Sequence, residues 1–138
     1  MMPALLSRLA ESCLGDGDAD LARVHADEAV ALTQRWDMRA WEIDAQLTVA
    51  RVRRRAENLR ARPAIEFALD RARTLVAETG ARGLEPHVHL ELAALAGLTG
   101  DEATRQTELR EGLRIFTEIG ATMRAGEVAK ELGLFATS

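Results

Sequence analysis

The sequence has little of several residue types: one cysteine, no tyrosine, three prolines and a single lysine, Lys130, among 18 basic residues. The lone Cys13 excludes an internal disulfide and favours a reducing compartment. The first residues lack the basic and apolar segments of a signal peptide, and no run of about 18 apolar residues could cross a bilayer. We therefore expect a cytoplasmic protein that has no membrane partner.

The charge balance is slightly acidic, with a formal net charge of −4. Nucleic-acid binding usually needs a concentrated positive field, so we do not expect a nucleic-acid partner. Hydrophobic residues make up 47% and charged residues 29% of the 138 residues, which is typical of a soluble globular chain. The length predicts one domain over residues 1–138 that buries roughly two thirds of its unfolded surface.

A pattern of small and apolar residues occurs three times along the chain. Ala29, Ala72 and Gly112 take equivalent places in it, at steps of 43 and 40 residues. The complete copies are Ala22, Ala26, Ala29, Leu32; Ile65, Leu69, Ala72, Leu75; and Arg105, Leu109, Gly112, Ile115. A turn residue follows each copy, at Asp37, Gly80 and Gly120. A repeat of this period predicts stacked helix pairs, which bind partners along a surface.

Periodicity and capping residues predict seven helices, and no alternating pattern of a strand is present. Asp18 and Asp101 are expected as N-caps, and Gly80 lies just past a helix that starts at Pro63. The predicted helices cover about 3–14, 19–35, 38–59, 63–79, 86–98, 102–118 and 122–132. Short connections make consecutive helices antiparallel neighbours, so we expect three helix pairs and a C-terminal capping helix.

These residues resemble the tetratricopeptide repeat, a family of helix pairs with small residues at the helix contacts. The matching residues of the first copy are Leu6, Leu9, Ala10 and Cys13, followed by Ala22, Ala26 and Ala29. The period is longer than the family's, and Arg53, His89 and Arg105 stand where it has apolar or small residues. The resemblance implies an all-α fold in which antiparallel helix pairs stack as a short right-handed solenoid.

In that family the first helix of each pair lines a concave face, and exposed positions between the core residues contact the ligand. The resemblance places these positions at Ser7, Glu11, Leu47, Arg54, Glu57, Asn58, His87 and Leu90. It implies a module that binds a peptide or a helix of a partner protein. No phosphate loop, nucleophile motif or pair of catalytic carboxylates is present in the sequence. We therefore expect no enzymatic activity and no cofactor.

Residues 114–133 are similar to the C-terminal region of large bacterial signalling proteins. In those proteins an ATPase module is coupled to a class III nucleotide cyclase or to a helix-turn-helix activator. The resemblance implies an alternative function, a regulatory tail within such a protein. The motifs of the ATPase and of the cyclase are absent from this sequence, so their activities are not carried over.

Two groups of residues suggest metal binding. Asp16, Asp18 and Asp20 alternate as in a calcium loop, but Leu21 takes the sixth position, where the sharp turn requires glycine. We interpret this segment as a helix-capping turn. His87 and His89 are two residues apart and point in different directions on a helix. We therefore expect no metal site, with His87 exposed at the surface and His89 partly packed.

Arginines form a run at 51–55, interrupted by Val52. The run has two interpretations, a contact for phosphate or an acidic peptide and a solvated network of ion pairs, and we prefer the second. Trp36 and Trp41 are expected to hold adjacent helix pairs together, and Cys13 to pack as a small apolar residue. The first helix carries leucines with no preceding partner: Leu5, Leu6, Leu9 and Leu14. Their exposure would favour self-association through that helix or contact with a further domain.

Overall fold

The computed structural model describes residues 3–133, and over that range the fold is all-α, without a strand. A 3-10 turn, Asn58–Ala61, separates the third helix from the fourth. The helices are α1 (Pro3–Gly15), α2 (Ala19–Arg35), α3 (Arg39–Glu57), α4 (Arg62–Thr79), α5 (Glu85–Thr99), α6 (Glu102–Glu118) and α7 (Thr122–Glu131). The predicted all-α class and the seven predicted helices are confirmed. None of these helices is both long and apolar enough to cross a membrane.

Local signals fix most helix ends. The Asp18 carboxylate accepts a hydrogen bond from the Leu21 amide at 3.1 Å, and Asp101 accepts one from the Thr104 amide at 3.1 Å. Both predicted N-caps are therefore confirmed, since each satisfies an amide that has no partner within its helix. The three turn residues of the repeat all have positive φ angles, 51° at Asp37, 70° at Gly80 and 78° at Gly120.

The third helix is shorter than the sequence predicted. It ends at Glu57, because Asn58 takes φ 52° and ψ −135° as its C-cap. A residue with this backbone conformation cannot continue a right-handed helix. The four-residue 3-10 turn then leads into α4, which begins at Arg62 with Pro63 in its first turn. The predicted end at residue 59 was wrong by these two residues.

Within residues 3–133 the chain packs as two compact units, which divide between Ala81 and Arg82. In the first unit α3 contacts α1, α2 and α4. Its core contains a cluster of Leu6, Ala29 and Ala45 and another of Ala10, Ala22, Ala26 and Val52. In the second unit α6 contacts α5 and α7, around Ala93, Leu109, Phe116 and Val128.

The repeat positions lie where side chains pack. Every apolar or small member of the three copies is buried except Leu32, which is half-buried. A methyl group at Gly112 would lie 3.6 Å from the Pro86 carbonyl oxygen and from a Leu90 methyl carbon, in ordinary van der Waals contact. Two of the polar residues that depart from the pattern have polar partners: Arg105 forms an ion pair with Glu102, and His89 Nδ1 lies 2.6 Å from Glu108 Oε2.

Candidate interaction surfaces

The predicted contact positions differ in how far a partner could reach them. Ser7 and Leu47 are each only 3% exposed, so their side chains lie inside the first unit. Glu11 and Arg54 are half-buried and Asn58 is exposed. In the second unit His87 and Leu90 are half-buried. The accessible part of the predicted strip in the first unit is therefore polar and charged.

An ion pair joins α1 to α3 at this strip. Arg51 Nη1 donates a hydrogen bond to Glu11 Oε1, although Arg51 was not among the predicted contact residues. Arg8 precedes Glu11 by three residues and Arg55 follows Arg51 by four, so each lies on the same side of its helix as that residue. Both are exposed, and neither forms an ion pair with another residue of the part described. We call Arg8, Glu11, Arg51, Arg54 and Arg55 the arginine face.

Glu57 belongs to a different group of charges. Its carboxylate lies 3.1 Å from Arg53 Nη1 and 4.0 Å from Arg23 Nη1, and Arg53 also reaches Asp27 at 3.3 Å. These contacts turn Glu57 towards α2. The predicted strip required Glu57 and Glu11 to lie on one face. In the structure Glu57 belongs to the group of charges between α3 and α2, away from Glu11. The preferred interpretation of the arginine run, a network of ion pairs, describes Arg53 well.

Histidines in the second unit are held by neighbours. The His87 ring meets Phe116 edge-on with 5.5 Å between the centroids, so His87 is half-buried and not the exposed residue that the sequence predicted. His89 Nδ1 lies 2.6 Å from Glu108 Oε2. A hydrogen bond from Arg114 lowers the pKa of the nearby Glu111 carboxyl. No group of three or more metal-ligating side chains comes together anywhere within residues 3–133.

A buried carboxylate in the first unit was missed by the sequence reasoning. Glu42, on α3, is 2% exposed and accepts hydrogen bonds from Arg71, Gln46 and Gln34. These partners come from α4, α3 and α2, so the group joins three helices. The signal was present in the sequence, because Glu42 precedes Ala45 by three residues on the core side of α3. An acidic residue on a core stripe indicates a buried partner of opposite charge.

A groove with a volume of about 520 Å³ runs between α2 and α4 over α3. Its apolar lining comes from Val30, Ala31, Val49, Ala64, Phe67 and Ala68. Two polar groups complete the lining, the Asp27–Arg53 ion pair and the amides of Gln34 and Gln46. Phe67 is 73% exposed beside this groove. The register of the repeat did not predict the groove, because none of the residues that line it is among the predicted contact positions.

The two tryptophans flank the turn between α2 and α3. Trp36 and Trp41 are both exposed, and Trp36 lies under the Arg35 guanidinium at 5.6 Å from the ring centroid. The packing of helix pairs through these two residues stays a prediction. Of the four leucines on the first helix only Leu5 is exposed, and Leu6 packs against Ala29 and Ala45. Self-association through this helix stays a prediction.

Comparison with known proteins gives no relative: no family model, curated protein or solved structure matches the chain. The resemblance to tetratricopeptide repeats and to the C-terminal region of bacterial signalling proteins therefore stays a prediction.

Proposed function

We propose that this chain is a helical protein-interaction module whose arginine face binds an acidic segment of a partner protein. The observation that carries this proposal is the Glu11–Arg51 ion pair, which joins α1 to α3. The exposed Arg8 lies three residues before Glu11 on α1, and the exposed Arg55 lies four residues after Arg51 on α3. The arginine face is positively charged, whereas the chain as a whole has a net charge of −4. A local charge of this sign favours an acidic partner.

The helix arrangement in this proposal is that of antiparallel pairs, α1 with α2 and α3 with α4 in the first unit and α5 with α6 in the second. Two core clusters support it. Leu6, near the start of α1, packs with Ala29 in the second half of α2, whereas Ala10 packs with Ala22 near the start of α2. In antiparallel helices joined by a short turn, residues near the start of one helix are expected to pack against residues near the end of the other. The stacking of the pairs as a solenoid rests on the resemblance alone.

Glu11 gives the arginine face a built-in competitor. Its carboxylate occupies Arg51, so an incoming carboxylate first meets Arg8 and Arg55. Exposed pairs between arginine and carboxylate each contribute about 0.2–1 kcal/mol and are weakened by salt. We therefore expect weak, salt-dependent binding of an acidic peptide. Removal of the Glu11 carboxylate should strengthen that binding, because it removes a negative charge that repels an acidic peptide.

The test measures binding of a fluorescent oligoglutamate peptide by anisotropy at low and high salt. We expect the double variant Arg8→Gln, Arg55→Gln to weaken binding about tenfold and Glu11→Gln to tighten it. The matched control is Arg73→Gln, Arg110→Gln, which removes two exposed arginines from α4 and α6 with the same change of net charge. Equal losses in the two double variants would mean that net charge alone attracts the peptide. Equal binding of an oligolysine peptide or of a single-stranded oligonucleotide would also contradict the proposal.

A further inference from the structure

A smaller cavity, with a volume of about 300 Å³, lies where α2 begins and α3 ends. The apolar part of its lining comes from Val52, which is buried, and Ala56, which is half-buried. The charged part comes from α2, α3 and the 3-10 turn that follows α3: Asp20, Arg23, Glu57 and Arg60. Ligand sites in proteins are concave and combine apolar lining with a few polar groups. This cavity has both features on a small scale.

Two charged side chains of this cavity have weak partners or none. Glu57 is well paired, since its carboxylate lies 3.1 Å from Arg53 Nη1 and 4.0 Å from Arg23 Nη1. Among residues 3–133 the Asp20 carboxylate meets only Arg23, at 3.4 Å, and is almost fully exposed, so this pair stabilises little. Arg60 forms no ion pair with any residue in the part of the chain that the structure describes. One carboxylate and one guanidinium group are therefore available to a ligand.

We propose that this cavity binds a small apolar amino acid as a zwitterion, with its ammonium group at Asp20 and its carboxylate at Arg60. The two available groups have opposite signs and come from different elements, the first turn of α2 and the 3-10 turn after α3. The lining as a whole holds two carboxylates and two guanidinium groups, so it favours a ligand that is neutral overall and carries both charges. An anion or a cation alone would satisfy only one of the two groups. Hydrogen bonds between ionised groups are the stronger kind, and guanidinium matches carboxylate with two parallel bonds.

The size and lining of the cavity limit the side chain of this ligand. A volume of about 300 Å³ is at the lower end of the range of about 300–1,000 Å³ that ligand sites span. The apolar contacts on offer are those of Val52 and Ala56, which suit a short aliphatic side chain. None of the residues of the arginine face lines this cavity. The inference is therefore independent of the proposed binding of an acidic segment.

The first experiment titrates the full chain with glycine, L-alanine and L-valine and follows the amide signals by NMR. We expect saturable shifts at the start of α2 and in the 3-10 turn, with a Kd on the order of 1 mM for L-valine. Isovalerate lacks the ammonium group of valine and isobutylamine lacks its carboxylate, and each should bind at least about tenfold more weakly. The absence of saturable shifts with all three amino acids overturns the proposal. So does binding of isovalerate or of isobutylamine that is as tight as that of L-valine.

The second experiment assigns the binding to this cavity. Arg60→Gln and Asp20→Asn should each weaken binding of L-valine at least about tenfold. The matched controls are Arg62→Gln and Asp16→Asn, which change exposed residues outside the lining and should leave the Kd unchanged. Ala56→Leu keeps both charges and fills the apolar part of the cavity, so it should abolish binding. Unchanged binding in Arg60→Gln or in Ala56→Leu overturns the proposal, and circular dichroism of each variant checks that the helices are retained.

Discussion

Glu42 is an acidic residue whose side chain is almost completely buried. Arg71 Nε lies 3.0 Å from Glu42 Oε2 and Arg71 Nη2 lies 3.3 Å from Glu42 Oε1, and Gln46 and Gln34 donate at 3.0 and 3.1 Å. Burial by itself raises the pKa of Glu42. The hydrogen bonds from Arg71, Gln46 and Gln34 and the charge of Arg71 outweigh it, so the net pKa lies below the usual value for glutamate.

Removal of Arg71 should leave this carboxylate buried without its counter-charge. We expect Arg71→Ala to lower the free energy of unfolding by about 3 kcal/mol, as when one partner of a buried ion pair is lost. Arg73→Ala is the control, because Arg73 is exposed two residues away on the same helix, and should change stability by less than about 0.5 kcal/mol. Urea denaturation measures both. Equal effects would mean that Arg71 contributes as a surface residue only.

The lowered pKa of Glu42 also predicts how stability depends on pH. A carboxyl whose pKa is lower in the folded chain stabilises it above the unfolded pKa of about 4.3, and this contribution is lost as the pH falls through the folded pKa. We expect the free energy of unfolding to decrease on acidification below about pH 4.3, and to decrease less steeply in Glu42→Gln, which keeps the shape of the side chain. Denaturation at a series of pH values compares the two slopes. Identical slopes would show that other carboxyls account for the acid response.

The connection between helices α3 and α4 contains a residue with a rare backbone conformation. Asn58 has φ 52° and ψ −135°, a combination that costs a residue with a side chain about 1–3 kcal/mol. We expect Asn58→Gly to raise the free energy of unfolding by about 1 kcal/mol, since glycine takes this conformation without the clash of a β-carbon. Asn58→Ala is the control and should be destabilising. Thermal denaturation compares the stability of the two variants with that of the wild-type chain. A glycine variant that is less stable than wild type would show that the backbone at Asn58 is not strained.

Helix ends could be predicted from the sequence where their causes are local. Asp18 and Asp101 cap helices through their own side chains, and Gly80 ends one by its own backbone freedom. Asn58 could not be predicted in this way. Asparagine takes a positive φ more readily than most residues with a side chain, but the sequence does not show which asparagine will do so, and here Asn58 lies where α4 turns back to pack against α3. The sequence therefore predicted every helix and missed the one break that depends on packing.

The contact strip was predicted less well, for a reason that lies in the neighbours of α3. This helix packs against α1, α2 and α4, so only a narrow sector of its surface remains accessible. The register of the repeat predicted that Leu47 is exposed, but its side chain is buried among the helices around α3. Periodicity within one helix shows which side is apolar and not how many neighbours surround it. Arg51 and Phe67 were overlooked for the same reason, since their significance depends on Glu11 and on the groove.

At the scale of the whole molecule the chain has two compact units with separate cores. Phe116 lies in the core of the second unit, with Leu109 and Val128. In the first unit Ile43 and Ile65 are 0% and 1% exposed. Each unit therefore buries large apolar side chains of its own, and a cavity in one core removes contacts mainly within that unit.

This separation predicts that damage stays local. We expect Phe116→Ala to cost about 3–5 kcal/mol and to raise amide hydrogen exchange in α5, α6 and α7 far more than in α2, α3 and α4. Ile65→Ala, the matched change in the first unit, should give the reverse pattern. Exchange measured by mass spectrometry under native conditions resolves the two sets of helices, because local opening reports the stability of each cooperative unit. A uniform rise across all helices in both variants would mean that the two cores unfold together and that the chain behaves as one cooperative domain.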